Sequence, residues 1–137
     1  MILRLKKKKK GYSAYAIELE GCQTQGDNME ELKKNCHEAL NLYLSEPETS
    51  RTLFPLPKKK KSKNHIQIDV EPTVALAMIV RQTRIKEGKT QKEMADALHI
   101  HLSAYQKYED SKTSNLEIKT LQKLKKILPL NVSMLFD

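Results

Sequence analysis

Histidine and cysteine are the residues of this sequence whose chemistry could support catalysis or metal binding. His99 and His101 stand two positions apart, but no further ligand lies nearby at the spacing of a metal site. Cys22 and Cys36 lack the C-x-x-C spacing of zinc and redox sites, and no neighbour in the sequence would lower the pKa of Cys22. We therefore expect no metal, no cofactor and no catalytic cysteine, but two reduced thiols in a cytoplasmic protein.

Positive charge is concentrated in two short stretches of a 137-residue chain whose net charge is +8. Residues 6–10 are five lysines, and residues 58–63 contain five more; without these ten, the balance of 25 basic and 17 acidic residues would become −2. Such runs attract nucleic acid or acidic partners, but they are equally typical of a solvated turn and loop, so their role stays open. The longest apolar run, residues 74–80, is too short to span a bilayer, and no membrane partner is expected.

Residues 1–70 predict a small β-β-β-α-β domain. Gly11 permits a turn between two strands rich in β-favouring residues, the second of which carries Ile17 and Leu19, and a third short extended piece follows. The Asp-Asn pair after it can cap a helix whose apolar residues recur at i, i+3 and i+4. Residues 65–70 alternate like a strand that returns to the same sheet.

Residues 71–137 predict an all-helical domain. Pro72 suits the first turn of a helix that stops at Gly88, and a final amphipathic helix ends at Pro129 before one last helical turn. The loop at residues 46–64 contains three prolines and the second lysine run, and we expect it to be mobile or held by a partner. The fold class is therefore α+β.

Residues 90–110 predict two short helices crossed at a sharp turn. Thr90 and Glu93 have the spacing of a capping box, so a helix begins there. A single helix continued through His99 would have no consistent apolar stripe. A break at His99, in the left-handed conformation that histidine tolerates, lets a second helix from about Leu102 bury two tyrosines.

The same segment resembles the helix-turn-helix of the Cro/phage-repressor family, whose pattern is TQ-x-x-x-A, a tight turn, then S-x-x-Y-x-x-x-E. TQKEMA and SAYQKYE match this pattern, and the resemblance continues through NLEIKTLQKLKKIL and LNVSMLF, covering residues 73–137. In that family the second helix enters the major groove and the first crosses the phosphate backbone. The resemblance implies operator double-stranded DNA as a partner and a homodimer or higher even oligomer, because one short helix reads few bases.

The resemblance also assigns roles by position. A phosphate contact is implied for Gln91, at the start of the first helix, and backbone contacts for His101 and Lys112. The candidates for base edges are Leu102, Ser103, Gln106 and Lys107. Ser103 and Gln106 could equally be surface polar residues without a role. Arg84 and Glu109 correspond to a structural ion pair between the helices.

The N-terminal domain resembles a second family. Residues 11–44 match the HicB antitoxins, in which E-L-x-G-C-x-T-Q-G-D precedes a helix containing E-A-x-x-x-Y-L; here these motifs are ELEGCQTQGD and EALNLYL. HicB proteins have a partly degraded ribonuclease-H-like domain that neutralises a HicA-like mRNA-cleaving toxin. Together, the two resemblances imply that the protein is the antitoxin of a type II toxin-antitoxin system and that it also represses its own operon.

We expect no enzymatic activity from this domain. Two-metal nucleic-acid cleavage needs carboxylates from neighbouring strands, and the first strand carries none, while Glu18, Glu20 and Asp27 lie at a strand end and a helix cap. A weak metal-dependent nuclease is the least favoured alternative. The other alternative is a stand-alone transcriptional repressor whose N-terminal domain senses a small ligand.

Overall fold

A computed structural model of the chain describes residues 1–55 and 62–133, which fall into two units. One unit comprises Met1–Leu44 and Phe54–Val70, and the other comprises Ser45–Leu53 and Glu71–Asp137. Ser45–Leu53, which the sequence placed mostly in the loop of the first domain, therefore groups with the second unit. Four lysines of the second run and half of the predicted final helical turn, residues 134–136, lie outside the described residues.

The first unit is a four-stranded antiparallel sheet with one helix against it. Its elements are β1 (Ile2–Lys7), β2 (Tyr12–Ala16), β3 (Gln23–Gly26), α1 (Met29–Leu44) and β4 (His65–Gln67). The strands lie side by side in the order β3-β2-β1-β4, so the last strand returns to pair with the first. This order of elements confirms the β-β-β-α-β prediction.

The hairpin between β1 and β2 requires glycine at its turn. Gly11 has a φ of 78°, and a Cβ placed there would lie 2.4 Å from the carbonyl oxygen of Gly26. β2 ends at Ala16, earlier than predicted. The chain turns after it because the Cys22 N–H donates to the Leu19 carbonyl at 3.1 Å, and Leu19 is buried in the core instead of continuing the strand.

Helix α1 begins at a side-chain cap and buries one stripe against β2 and β3. The Asn28 Oδ1 accepts from the Glu31 N–H at 2.9 Å, as expected for an Asn cap. Leu32, Cys36 and Leu40 recur every four residues and have no exposed surface. Burial raises the pKa of the Cys36 thiol to about 11, helped by the nearby Cys22, so at neutral pH this thiol keeps its proton and is a poor nucleophile.

The second unit consists of helices around one apolar cluster. The helices are α2 (Pro72–Lys86), α3 (Gln91–Leu98), α4 (Leu102–Gln106) and α5 (Ile118–Ile127). The buried residues of the cluster come from all four helices and from the segment just after α5: Leu76, Ile79, Val80, Met94, Ala95, Tyr105, Leu124, Leu128 and Leu130. α2 ends, as predicted, beside Gly88, which has a φ of 69°.

The connecting segment Ser45–Leu53 accepts hydrogen bonds from side chains of the same unit, contacts that the sequence did not predict. Arg81, buried to within 1% of its surface, donates through Nη1 to the carbonyl oxygens of Ser50, at 3.0 Å, and Thr52, at 2.7 Å. A buried guanidinium needs such acceptors, because burial lowers its pKa and disfavours its charge. The loop supplies two of them, both to Nη1, while the buried Nη2 has no hydrogen-bond partner among the described residues.

Within the described residues, no helix has the length and apolar character needed to cross a membrane. Those residues also contain no group of three or more His, Cys, Asp or Glu side chains placed to hold a metal ion.

Candidate nucleic-acid interface

The turn between α3 and α4 is built from local hydrogen bonds. The Thr90 hydroxyl accepts from the Glu93 N–H at 3.1 Å and the Glu93 carboxylate accepts from the Thr90 N–H at 3.2 Å, which confirms the capping box. His99 has φ 56° and ψ 43°, the left-handed conformation. The N–H groups of His99 and Ile100 then donate back to the last carbonyls of α3, at 3.1 and 3.0 Å. The two-helix interpretation is therefore confirmed.

The bend turns one side of α4 inward. Tyr105 is fully buried in the apolar cluster, and its ring meets that of Tyr108 edge to face with centroids 5.9 Å apart. Ile100, at the corner, packs against the same cluster. Because α4 is anchored by this side, the residues on its other side are directed away from the core.

The residues that the family resemblance singled out fall into two groups by exposure. Exposed to solvent are His101, Leu102, Ser103, Lys107 and Lys112. Gln91 and Gln106 are only partly exposed, and they contact each other, since the Gln106 Nε2 donates to the Gln91 Oε1 at 3.3 Å. Ser103 and Lys107, four positions apart, lie on the side turned away from Tyr105, with Gln106 at the edge of that side. Leu102 stands one turn before Tyr105, at the start of α4, and is 40% exposed.

Glu109 is the centre of a buried polar network. Its side chain has no exposed surface, and it accepts hydrogen bonds from three helices. Arg84 of α2 donates to it twice, through Nε at 2.5 Å and through Nη2 at 3.0 Å. The Tyr105 hydroxyl of α4 donates at 2.6 Å and the Gln91 Nε2 of α3 at 3.1 Å. The structure thus places Arg84 and Glu109 in a bidentate ion pair with two further donors.

The network keeps each partner in its hydrogen-bonding form. Burial alone would lower the pKa of Arg84, but the hydrogen bond and charge of Glu109 outweigh burial and raise it. Burial raises the pKa of Tyr105, and the neighbouring Glu109 charge raises it further, so the hydroxyl remains a donor. Four charge-assisted contacts to one carboxylate hold α2, α3 and α4 in a single arrangement.

Gln91 has no spare amide proton. One donor contact of its Nε2 is to Glu109, and the other is to the backbone carbonyl of Glu48 in the connecting segment, at 2.9 Å. Sequence reasoning missed the second contact, because Glu48 lies 43 residues away and nothing in the local pattern pairs the two. A direct phosphate contact by this amide therefore requires release of the Glu48 carbonyl.

A cleft of about 490 Å³ lies beside Gln91, between the connecting segment and the start of α3. Its charged lining includes Glu48, Arg51 and Lys92. Lys92 stands 3.5 Å from Asp96 one turn along α3, and both side chains are exposed. With Arg84 and Lys89 also in the lining, the cleft is a mainly basic surface next to the start of α3.

Two short helices crossed at a left-handed turn, tied by a buried carboxylate and followed by further helix, define a helix-turn-helix domain. Residues 80–135 match the family model described as helix-turn-helix, of the Cro/C1 type. The chain therefore carries a DNA-binding domain of the kind found in transcription regulators. The match does not extend to the β-β-β-α-β unit. No curated protein matches the chain.

Replacing Glu109 by glutamine should destabilise the second unit by about 3–5 kcal/mol, because Arg84 would remain buried without its counter-charge. Urea unfolding of Glu109→Gln against the parent chain measures the loss. Glu117→Gln, an exposed change of the same kind at the start of α5, is the control and should shift stability by less than about 0.5 kcal/mol. Equal losses in the two variants would contradict the role given to Glu109.

Replacing His99 by glycine should stabilise the domain by about 0.5–1 kcal/mol. Glycine adopts the observed φ without the steric cost that any other residue has there, and part of that gain is offset by its greater freedom when unfolded. Thermal unfolding is the measurement. Ala97→Gly, inside α3, should instead lose about 1 kcal/mol. A destabilising His99→Gly would mean that the imidazole makes a contact worth more than the strain.

Proposed function

We propose that the protein is the antitoxin of a type II toxin-antitoxin system, which represses its own operon through operator DNA and neutralises a HicA-like, mRNA-cleaving toxin. The observation that carries the DNA-binding half is the pair Ser103 and Lys107, exposed polar residues on a short helix that is anchored from the opposite side by the buried Tyr105. A recognition helix needs this combination, since a loosely held helix would lose specificity to conformational freedom.

On this surface each residue type suits one kind of contact. Lys107 can donate to guanine and Gln106 can read adenine, whereas Leu102 can only touch a thymine methyl. Ser103 can bond either class of base. The supporting geometry is that Leu102, Ser103 and Lys107 are exposed, and Gln106 is partly exposed, on α4 and its C-terminal cap.

Residues that flank α4, the proposed recognition helix, are suited to phosphate contacts. His101 precedes α4 and Lys112 follows it, and both are exposed. Gln91 can join them when its Nε2 leaves the Glu48 carbonyl, while its bond to Glu109 keeps the amide oriented. These contacts position the protein without reading sequence. We expect the protein to bind as a dimer or higher even oligomer, with half-sites about one DNA turn apart.

The toxin-binding half rests on the first unit. The ELEGCQTQGD motif, residues 18–27, runs from the turn after β2 through β3 to the cap of α1, and EALNLYL, residues 38–44, forms the end of α1. The two motifs are therefore neighbours in space, since α1 packs on β3. A surface of this kind can sequester a toxin without chemistry, and we assign no catalytic step to it.

Lys107→Ala should weaken binding to specific operator DNA by about 1–3 kcal/mol and relax base preference at one position, while binding to random DNA changes little. Gln91→Ala should weaken binding to both kinds of DNA alike. Footprinting and titration with both DNAs are the measurements, and Lys119→Ala, an exposed lysine of α5, is the charge-matched control. An equal effect of Lys107→Ala on specific and random DNA would remove that lysine from base reading.

Co-expression with the adjacent small open reading frame tests the toxin. Purification through a tag on this chain should recover a small basic protein in a fixed ratio, and the pair should lack the ribonuclease activity of the freed partner. The Lys107→Ala variant should recover the same amount, because its change lies in the DNA-binding domain. Absence of a stoichiometric partner would contradict the antitoxin role but would not affect the DNA-binding role.

A further inference from the structure

Among the described residues of the first unit, those on one face of the sheet are exposed or half-buried, and this face is called the open face. α1 packs on β2 and β3 from one side, where Leu3, Ala14 and Ala16 are buried. Strand residues alternate between faces, so the intervening residues point to the other side. Among them, Arg4 and Lys6 of β1 are exposed, and 42% of the Tyr15 side chain of β2 is exposed.

The strand register arranges these open-face residues in two rows. Arg4 pairs with Tyr15, and Tyr15 pairs with Gln23. One step nearer the hairpin, Lys6 pairs with Ser13, and Ser13 pairs with Gln25. Each row thus runs from a cation on β1, through a central residue on β2, to an amide on β3. The rows are about 7 Å apart along the strands, and neighbouring strands are about 5 Å apart.

The hairpin end closes this surface into a shallow concavity. Lys8 Nζ donates to the Gln25 Oε1 at 3.4 Å, which places a third cation at the end of the second row. A hollow of about 330 Å³ is lined by Lys8, Ser13, Tyr15, Gln23 and Gln25 together with the backbone around them. The exposed tyrosine ring therefore forms part of a recess bordered by amides and an ammonium group.

The charge on this face has one sign. None of the outward positions of the four strands is acidic. The lysine run of residues 6–10 lies at the same end, and outside the two lysine runs the chain is slightly acidic overall. The face therefore attracts polyanions. Its tyrosine and amides offer further contacts that small inorganic anions would not make.

We propose that this open face binds single-stranded RNA. Arg4, Lys6 and Lys8 would neutralise successive phosphates, and an unstacked base would lie on Tyr15. Gln23 and Gln25 carry both donors and acceptors, which suit base edges and the 2′-hydroxyl group. A duplex hides its base faces from a flat sheet, so the tyrosine favours a single strand. An acidic peptide would use the lysines but gain little from the ring.

The test uses the full chain and a fluorescent 12-nucleotide oligouridylate, titrated by anisotropy at several salt concentrations. The Lys6→Ala/Lys8→Ala variant should bind at least tenfold more weakly, and its slope of log affinity against log salt should fall by about 1.4, for two phosphates on a single strand. Tyr15→Leu, which keeps a strand-compatible apolar residue, should lose about fivefold or more. Lys33→Ala/Lys34→Ala removes the same charge from exposed positions of α1 and should leave binding unchanged.

Competitors decide between partners. Unlabelled oligodeoxyuridylate of equal length and a polyglutamate peptide should each displace the RNA at least tenfold less effectively than unlabelled RNA. Equal displacement by either, equal losses in the α1 control, no effect of Tyr15→Leu, or no RNA binding at low salt would each overturn the proposal. Far-UV circular dichroism and thermal unfolding of every variant verify that the first unit stays folded. Duplex operator binding, measured in parallel, reports on the helix-turn-helix unit; its failure in the parent would count against the repressor role, not against this face.

Discussion

The helical unit depends on the hydrogen bonds around the buried carboxylate of Glu109. A carboxylate with no exposed surface is costly to bury unless hydrogen-bond donors surround it. Arg84, Tyr105 and Gln91 supply the donors from three different helices. Hydrogen bonds are directional, whereas the surrounding apolar cluster would tolerate small shifts of one helix against another. The ion pair therefore fixes the angle at which α4 is presented, and the exposed side of α4 inherits its orientation from a group that never meets DNA.

The same network reaches beyond the helix-turn-helix. Gln91 links the buried carboxylate to Gln106 on the outward surface and to the Glu48 carbonyl of the connecting segment. A chain segment distant in sequence thus shares a hydrogen-bonding group with the proposed interface. Arg81 holds the same segment through two more carbonyls. The environment of the start of α3 is consequently set in part by a segment outside the matched residues 80–135.

The first unit divides its surfaces differently. Its helix covers one side of the sheet and contributes most of the buried leucines, so stability is concentrated on that side. The opposite side needs no apolar residues for folding and is free to carry charge. The lysines at its hairpin cost little, because they are solvated and lie beside a turn that Gly11 already permits. Binding of a protein on the α1 side and binding of nucleic acid on the opposite face of the sheet are therefore structurally compatible.

Local chemistry made much of this predictable from sequence. The capping box at Thr90, the left-handed His99, the stop at Gly88 and the order of strands and helices all follow from interactions within a few residues, for which the pattern is sufficient. The early end of β2 was missed because Ile17 and Leu19 have strand propensity, yet burial of Leu19 in the core prevails over it. Only the tertiary structure decided three further features. They are the carbonyls that accept from Arg81, the acceptors of both amide protons of Gln91, and the lysines that share a face with Tyr15. These contacts join residues far apart in the chain, and hydrogen bonds of that kind depend on angles and distances that no sequence spacing encodes.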